Sequence, residues 1–375
     1  MVSVDLDSLR VQLRRAEFNR TEAETATALT EEAIRRGDEA REEHHRLSEV
    51  ASQVSRKLEE GGWFDHLVPS NDDLLPGDTP FCGLDGSFFA LPSGFDLWYV
   101  PISVAKVRQR FDFAGSPDTS VEARIDSIRL PPTQSVFRES GLRMLSLESR
   151  ALLLEASNPA KPRIFMDGPI ADPPFYAEEG YVTLRTDAIK RCLEHELSVL
   201  GCVKRISDRY LPSKVGPMLD DRMRSSLDTF PNDFFLITHA FAKHRSRRNY
   251  HSALLTPYID ISQADPTHRK YWEMGVGTIC GFYQRDSVSR IARIDVPFLR
   301  DSPDENSDKL DTLYRSSACM MNQLTLPGQS YPVPVMLAHE KCKVRQGAAE
   351  VLYLEIMTKS ATVSPEDFTT LMQLR

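Results

Sequence analysis

The sequence lacks the features that would assign it at once to several common classes. Its six cysteines are scattered and include no CxxC pair, which excludes a disulfide framework and a zinc ribbon. No GxxxxGK[ST] motif occurs, so an ATP-driven step would need a partner protein. No run approaches the roughly 18 apolar residues of a membrane span, and the N-terminus has no apolar signal core. We therefore expect a cytoplasmic protein with reduced thiols and no membrane contact.

A general excess of basic residues is also missing. The 375 residues carry a formal net charge of -8 at pH 7, which argues against a positive coat but allows local basic patches. Two segments, "VKRISDRY" and "AKHRSRRNYH", have the composition of phosphate-contacting chain, which is also the composition of a solvated loop. The candidate nucleic-acid contacts in them are Lys204, Arg205, Lys243, Arg245, Arg247 and Arg248.

Two further motifs are incomplete. "GVGTICG" (275–281) has one residue too many for the dinucleotide fingerprint GxGxxG, so we predict a strand eased by glycine. His195 and Glu196 begin an HExxH pattern, but residue 199 is valine and the second zinc ligand is absent. We therefore expect His195 to lie on a helix surface.

The first part of the chain has little glycine or proline and many charged residues, which predicts an N-terminal helical arm over residues 1–62. Its apolar stripe is sparse between Thr21 and His45, so we expect the arm to contact a partner or a second copy. Glycines and prolines then predict a linker over residues 63–80, and residues 81–375 form the main domain.

In the main domain, short apolar runs alternate with amphipathic segments, which predicts an α/β fold with a mixed-sheet core and flanking helices. A charged segment follows the second strand, up to about residue 131. Strands are predicted at 80–92, 96–111, 163–168, 202–206, 278–284, 289–298, 333–345 and 349–357. Helices are predicted at 140–157, 185–201 and from residue 364.

Several acidic residues in this domain have the arrangement of metal ligands. Asp85 and Asp167 each end an apolar run and precede a glycine, which places a carboxylate at a strand end with room for an ion, although Asp-Gly is also common in turns. Glu148 lies on the apolar face of its helix, and Glu155, seven residues later, lies on nearly the same face and is its rival. Together these carboxylates could hold Mg²⁺ or Mn²⁺.

One histidine extends this set. His339 ends the apolar run of "SYPVPVMLAHEKCKVRQ", and beside carboxylates it could bind a metal or transfer protons, whereas alone it would be a buried structural histidine.

Taken in order, five segments resemble the NurA nuclease family. They are "LDGSFF" with Asp85, "LESRALLLEA" with Glu148, "IFMDGPI" with Asp167, "LGCVKRIS" with Lys204, and "YPVPVMLAHEKCKV" with Tyr331 and His339. The resemblance implies a ribonuclease H-like core in which Asp85, Glu148 and Asp167 bind Mn²⁺ or Mg²⁺, His339 completes the metal site and Tyr331 lies nearby.

The resemblance also implies an activity and partners. Members of the family are DNA nucleases with 5′-to-3′ exonuclease and single-strand endonuclease activity, which act as homodimers on a hexameric HerA-type ATPase in DNA end resection or phage defence. Two other functions stay open at this point. One is a catalytically silent DNA-binding or assembly subunit of a translocase complex, and the other is a metal-dependent phosphoesterase for small molecules.

Overall fold

The computed structural model describes residues 23–67, 74–93, 97–129, 135–248, 252–300 and 307–359. Within these ranges, eleven strands form one mixed sheet. The strands are β1 (Asp65–Leu67), β2 (Pro80–Phe88), β3 (Leu91–Ser93), β4 (Leu97–Arg110), β5 (Asp118–Arg129), β6 (Arg163–Asp167), β7 (Val199–Val203), β8 (Ala253–Leu255), β9 (Ile259–Asp260), β10 (Val276–Gln284) and β11 (Ala292–Leu299).

Helices cover both faces of this sheet. They are α1 (Ala23–Glu60), α2 (Val136–Glu155), α3 (Glu179–Glu194), α4 (Leu211–Val215), α5 (Asp221–Leu227), α6 (Asp233–Arg248), α7 (Pro266–Glu273), α8 (Ser307–Leu324), α9 (Val333–Cys342) and α10 (Gln346–Lys359). This architecture confirms the predicted α/β class with a mixed-sheet core and flanking helices. No helix in the described part of the chain is long and apolar enough to cross a bilayer.

The centre of the sheet is parallel and the flanks are antiparallel. The strand order is β1-β8-β10-β11-β7-β6-β2-β4-β3, with β5 paired to β4 and β9 paired to β10. Strand β6 pairs in parallel with both β2 and β7, and Leu84 lies opposite Met166. Because the strands run together to this point, the next residues, Asp85 and Asp167, lie side by side, with Asp167 at the end of β6 and Asp85 within β2.

The predicted arm is one long helix whose two halves differ. The half before Arg46 is mostly exposed, whereas Leu47, Ala51, Val54 and Leu58 are buried in a core shared with α6. The C-terminal half therefore packs on its own chain, and the half before Arg46 is the part of the described helix that is left for the expected contact with a partner or a second copy. The predicted linker is also partly structured, since Trp63 and Phe64 join this core and β1 follows them.

Three segment predictions were wrong in type or position, and a fourth segment had no predicted type. The charged segment before residue 131 contains the exposed edge strand β5, whose polar residues hide its strand character. The strand predicted at 333–345 is helical over residues 333–342, and residues 349–357 are helical rather than extended. The helix predicted at 185–201 is α3, which ends at Glu194, and β7 begins before Gly201. The helix predicted from residue 364 lies outside the described residues.

Candidate active site

Two aspartates form the centre of the candidate site. Asp167 is the last residue of β6, as predicted, but Asp85 lies inside β2 rather than at its end. Gly86 therefore does not turn the chain. Its role is close approach: a Cβ at residue 86 would lie 2.7 Å from Oε1 of Glu148.

Helix α9 brings His339 to these aspartates. Nδ1 of His339 lies 2.7 Å from Oδ2 of Asp85 and 3.6 Å from Oδ2 of Asp167. The helix sits directly on β2, since a Cβ at Gly83 would lie only 1.9 Å from the carbonyl oxygen of Pro334. A side chain at residue 83 would displace the helix and its histidine. The site therefore depends on the contact between Gly83 and Pro334.

The environment of Asp85 changes its protonation. Burial and the neighbouring charge of Asp167 raise the pKa of Asp85 to about 6, against the hydrogen bond from His339. Cys342, also on α9, contributes its thiol at 3.4 Å from Oδ2 of Asp85. Burial raises the pKa of Cys342, so this group is a neutral thiol that donates a hydrogen bond.

Lys204 faces the other aspartate. Its Nζ donates to Oδ2 of Asp167 at 2.5 Å and lies 3.9 Å from the ring centroid of Tyr331. The lysine side chain is thus held between a carboxylate and an aromatic face. Tyr331 lies at the site through this contact, as the resemblance implied.

Glu148 lies beside the two aspartates but on the other face of β2. A Cβ at Gly86 would point toward Glu148. Because successive strand residues point to opposite faces, the side chain of Asp85 points away from Glu148. Glu148 is buried, and burial raises its pKa well above the usual range, with further upward contributions from Asp85 and Asp167. The helical pattern therefore located this buried carboxylate correctly.

The rival Glu155 serves another purpose. It is buried on the same helix but accepts hydrogen bonds from Arg108 and Asn158 and pairs with Lys106. Burial alone would raise the pKa of Glu155, but these donors lower it. Glu155 is thus committed to a structural ion pair with β4.

The donor set suits a hard divalent cation. In the described part of the chain, single ligand atoms of Asp85, Asp167 and His339 lie within 4.8 Å of one another. The two carboxylates suit Mn²⁺ or Mg²⁺, and the imidazole nitrogen favours Mn²⁺ over Mg²⁺ and would also suit Zn²⁺. Glu148 is not in this compact set, although the charges of Asp85 and Asp167 help to raise its pKa.

The predicted basic contacts divide into distinct groups. Lys204 is at the site and Arg205 next to it is exposed. Arg245 is buried, with Nε donating to Oε1 of Gln284 and Nη1 to the carbonyl of Ser252. Because these bonds hold its guanidinium inside the fold, Arg245 is not available to DNA, and this part of the prediction is corrected.

The remaining basic residues of that segment lie in helix α6 rather than in a loop. Lys243 is half-buried, and Arg247 and Arg248 occupy the last turn of the helix, where their side chains lie outside the described residues.

Sequence reasoning missed one charged residue beside the site. Arg185 on α3 is buried, and its neighbours one turn away, including Tyr181 and Ile189, are apolar and buried. The helical-face argument that singled out Glu148 applies equally to this arginine, so the signal was present in the sequence.

Comparisons with known proteins bear on the whole domain. The family model described as the NurA domain matches residues 80–344. The crystal structure of the NurA nuclease from Sulfolobus solfataricus is similar over 92% of this chain and 100% of that chain, with 15% sequence identity and a TM-score of 0.57. No curated protein matches the sequence.

Two endonuclease V structures align more weakly. The Bacillus subtilis protein has 12% identity, covers 81% of this chain and 92% of its own, and gives a TM-score of 0.34. The Ciona intestinalis protein, solved with DNA containing an inosine, has 9% identity, covers 82% and 98%, and gives a TM-score of 0.35.

Proposed function

The chain belongs to the NurA family of nucleases, and we propose that it hydrolyses DNA phosphodiester bonds with Mn²⁺ or Mg²⁺ held by Asp85, Asp167 and His339. Glu148 adds a third carboxylate, on the opposite face of β2 from the side chain of Asp85. The observation that carries the proposal is the convergence of two carboxylates and one imidazole from β2, β6 and α9. A bound divalent cation supplies charge stabilisation for the phosphate and lowers the pKa of a water molecule.

The residues around the cation have separate tasks. In the metal-free protein Nδ1 of His339 faces both carboxylates; a bound cation would take one ring nitrogen, and the other ring nitrogen would then carry an N–H able to contact a substrate oxygen. The side chain of His339 is 41% exposed, so it can meet a substrate. Lys204 orients Asp167 and brings a fixed positive charge to the phosphate.

DNA is held mainly through its phosphates. The proposed contacts are Lys204, Arg205, Lys243, Arg247 and Arg248, without Arg245. Binding through phosphates predicts weak sequence preference and strong dependence on salt.

The finer activity follows the family resemblance. We infer a 5′-to-3′ exonuclease and single-strand endonuclease that acts as a homodimer with a HerA-type hexameric ATPase, in DNA end resection or phage defence. The absence of a P-loop supports an ATPase in a partner. The exposed half of α1 before Arg46 offers a surface for the second copy or the partner.

The test is degradation of end-labelled single-stranded and duplex DNA with Mn²⁺, Mg²⁺ or EDTA, using wild type, Asp167→Asn and the control Glu155→Gln. We expect metal-dependent cleavage that Asp167→Asn abolishes and Glu155→Gln retains, because Glu155 is held by Arg108 away from the proposed ligands. No cleavage with any metal, even with a hexameric translocase added, would leave a DNA-binding subunit as the function.

A further inference from the structure

A buried arginine lies between Glu148 and the loop that follows Asp167. The side chain of Arg185 is 2% exposed. Its Nη1 is 3.7 Å from Oε2 of Glu148, and its Nη2 is 4.0 Å from Oδ2 of Asp172 and 3.5 Å from the carbonyl oxygen of Pro169. Arg185 thus connects helix α2, which carries Glu148, to the chain immediately after Asp167.

The two carboxylates that face Arg185 differ in the other partners they have. Asp172 also accepts a hydrogen bond from the hydroxyl of Tyr181, so it has a second donor. Glu148 is buried, and Arg185 is the one cationic side chain paired with it among the described residues. A buried carboxylate without a cation is strongly unfavourable.

Arg185 also has hydrogen-bonding capacity left over. Its Nε and Nη1 are buried and make no hydrogen bond within the described residues. The Nη1 to Oε2 distance of 3.7 Å is therefore an ion pair that a small movement of Glu148 would convert into a charge-assisted hydrogen bond. This leaves Glu148 able to move by a fraction of an ångström without losing its counter-ion.

We propose that Arg185 is a positioning residue of the site: its contacts with Glu148, Pro169 and Asp172 fix the Glu148 side chain relative to the loop that follows Asp167, and so increase the affinity for a divalent cation. The inference rests on the proposed function, because it assigns Arg185 a role toward that cation. Because Arg185 is buried, it would act through Glu148 and this loop rather than by contacting DNA.

The chain provides a matched control for this role. Glu155 lies two turns further along α2, is equally buried and pairs with Arg108. Arg108→Met therefore removes a cation from a buried glutamate on the same helix, away from the proposed ligands. Arg108→Met leaves Glu155 paired with Lys106, whereas Arg185→Met leaves Glu148 without a cation among the described residues, and only Arg185→Met is expected to affect metal binding.

The first measurement is Mn²⁺ affinity, from the electron paramagnetic resonance signal of free Mn²⁺. We expect Arg185→Met to weaken binding about 10- to 100-fold, the usual effect of losing a residue that orients a ligand. Arg185→Lys keeps the charge and is expected to recover part of the affinity, whereas Arg108→Met should bind like wild type. Unchanged binding by Arg185→Met, or equal loss in both Met variants, would overturn the inference.

The second measurement needs no metal. Urea unfolding of the metal-free wild type, Glu148→Gln, Arg185→Met and the double variant forms a double-mutant cycle. We expect Glu148→Gln to destabilise the Arg185→Met variant less than it destabilises wild type, because in that variant it removes an unpaired buried charge. The double variant can therefore still be measured if Arg185→Met alone folds poorly. Additive effects would overturn the coupling. If wild type does not bind Mn²⁺, both the proposed function and this inference are overturned. If wild type binds Mn²⁺ and Arg185→Met binds it equally well, only this inference is overturned.

Discussion

Nδ1 of His339 lies 2.7 Å from Oδ2 of Asp85, although 254 residues separate the two in the chain. The thiol of Cys342, one turn along α9, reaches the same oxygen. Helix α9 therefore fixes one aspartate of the site with two donors, while Lys204 fixes the other. Each carboxylate has a defined orientation before any cation arrives.

Replacing His339 should remove activity while leaving the fold intact. We expect His339→Ala to reduce the rate of DNA cleavage about 10²- to 10³-fold, the usual effect of losing a donor aimed at the charge that develops in the reaction. His195→Ala, at the exposed end of α3, is the control. Single-turnover cleavage with saturating Mn²⁺ measures the effect, and a His339→Ala rate within threefold of wild type would contradict the proposed role.

Metal binding should weaken on acidification. The pKa of Asp85 is raised to about 6, so a proton competes with the cation below that pH. We expect Mn²⁺ affinity to be nearly constant above pH 7 and to fall by up to about tenfold per pH unit below pH 6. Titration of Mn²⁺ binding between pH 5 and 8 measures this, and a flat profile would contradict it.

The same shift has the opposite effect on the metal-free protein. Between about pH 4 and pH 6 folded Asp85 holds a proton that the unfolded chain has lost, so the contribution of this residue to the free energy of unfolding increases as the pH falls through 6. Asp85→Asn should lack this pH-dependent contribution. Urea unfolding of both proteins at pH 5 and pH 7 checks the sign.

Lys204 and Arg205 should differ in how their loss acts. Lys204→Met removes the donor to Asp167, so we expect slower cleavage of bound DNA as well as weaker binding. Arg205 is exposed, and Arg205→Ala should mainly weaken DNA binding and lower the slope of log affinity against log salt by about 0.9. Binding at several salt concentrations and single-turnover rates separate the two, and identical profiles would contradict the assignment.

Gly86 should not tolerate a methyl group. A Cβ there would meet Oε1 of Glu148 at 2.7 Å and Cγ of Met144 at 2.8 Å. We expect Gly86→Ala to destabilise the protein by about 1–3 kcal/mol and to weaken Mn²⁺ binding by displacing Glu148. Gly180→Ala is the control, because nothing lies within 4 Å of a Cβ at that helical position. Equal stability of the two variants would show that Glu148 is not held against β2.

The sequence was most informative where burial and periodicity agree. The apolar strands β2, β4, β6 and β10 and helix α2 with Glu148 follow their patterns directly. Helix α9 was predicted as a strand because its valines and prolines favour extended chain. It is helical because Pro332 and Pro334 suit a helix start and the helix docks on β2 at Gly83.

Other features depend on contacts between distant parts of the chain. Strand β5 has an exposed, polar pattern, and only its pairing with β4 makes it a strand. Arg245 looked like a DNA contact in a basic run, but the side chain is buried by Gln284, which lies far along the chain. No local pattern contains this information.

The packing of α9 on Gly83 has a consequence for the lifetime of the protein. Donors from β2, β6 and α9 converge only when the beginning and end of the domain are docked, so an unfolded chain has no such site. A cation that binds only the folded state stabilises it by RT ln(1 + [M]/Kd), about 2.7 kcal/mol at one hundred times Kd. The supply of metal would then govern resistance to unfolding and proteolysis, and a metal-starved cell would lose the protein itself as well as its activity.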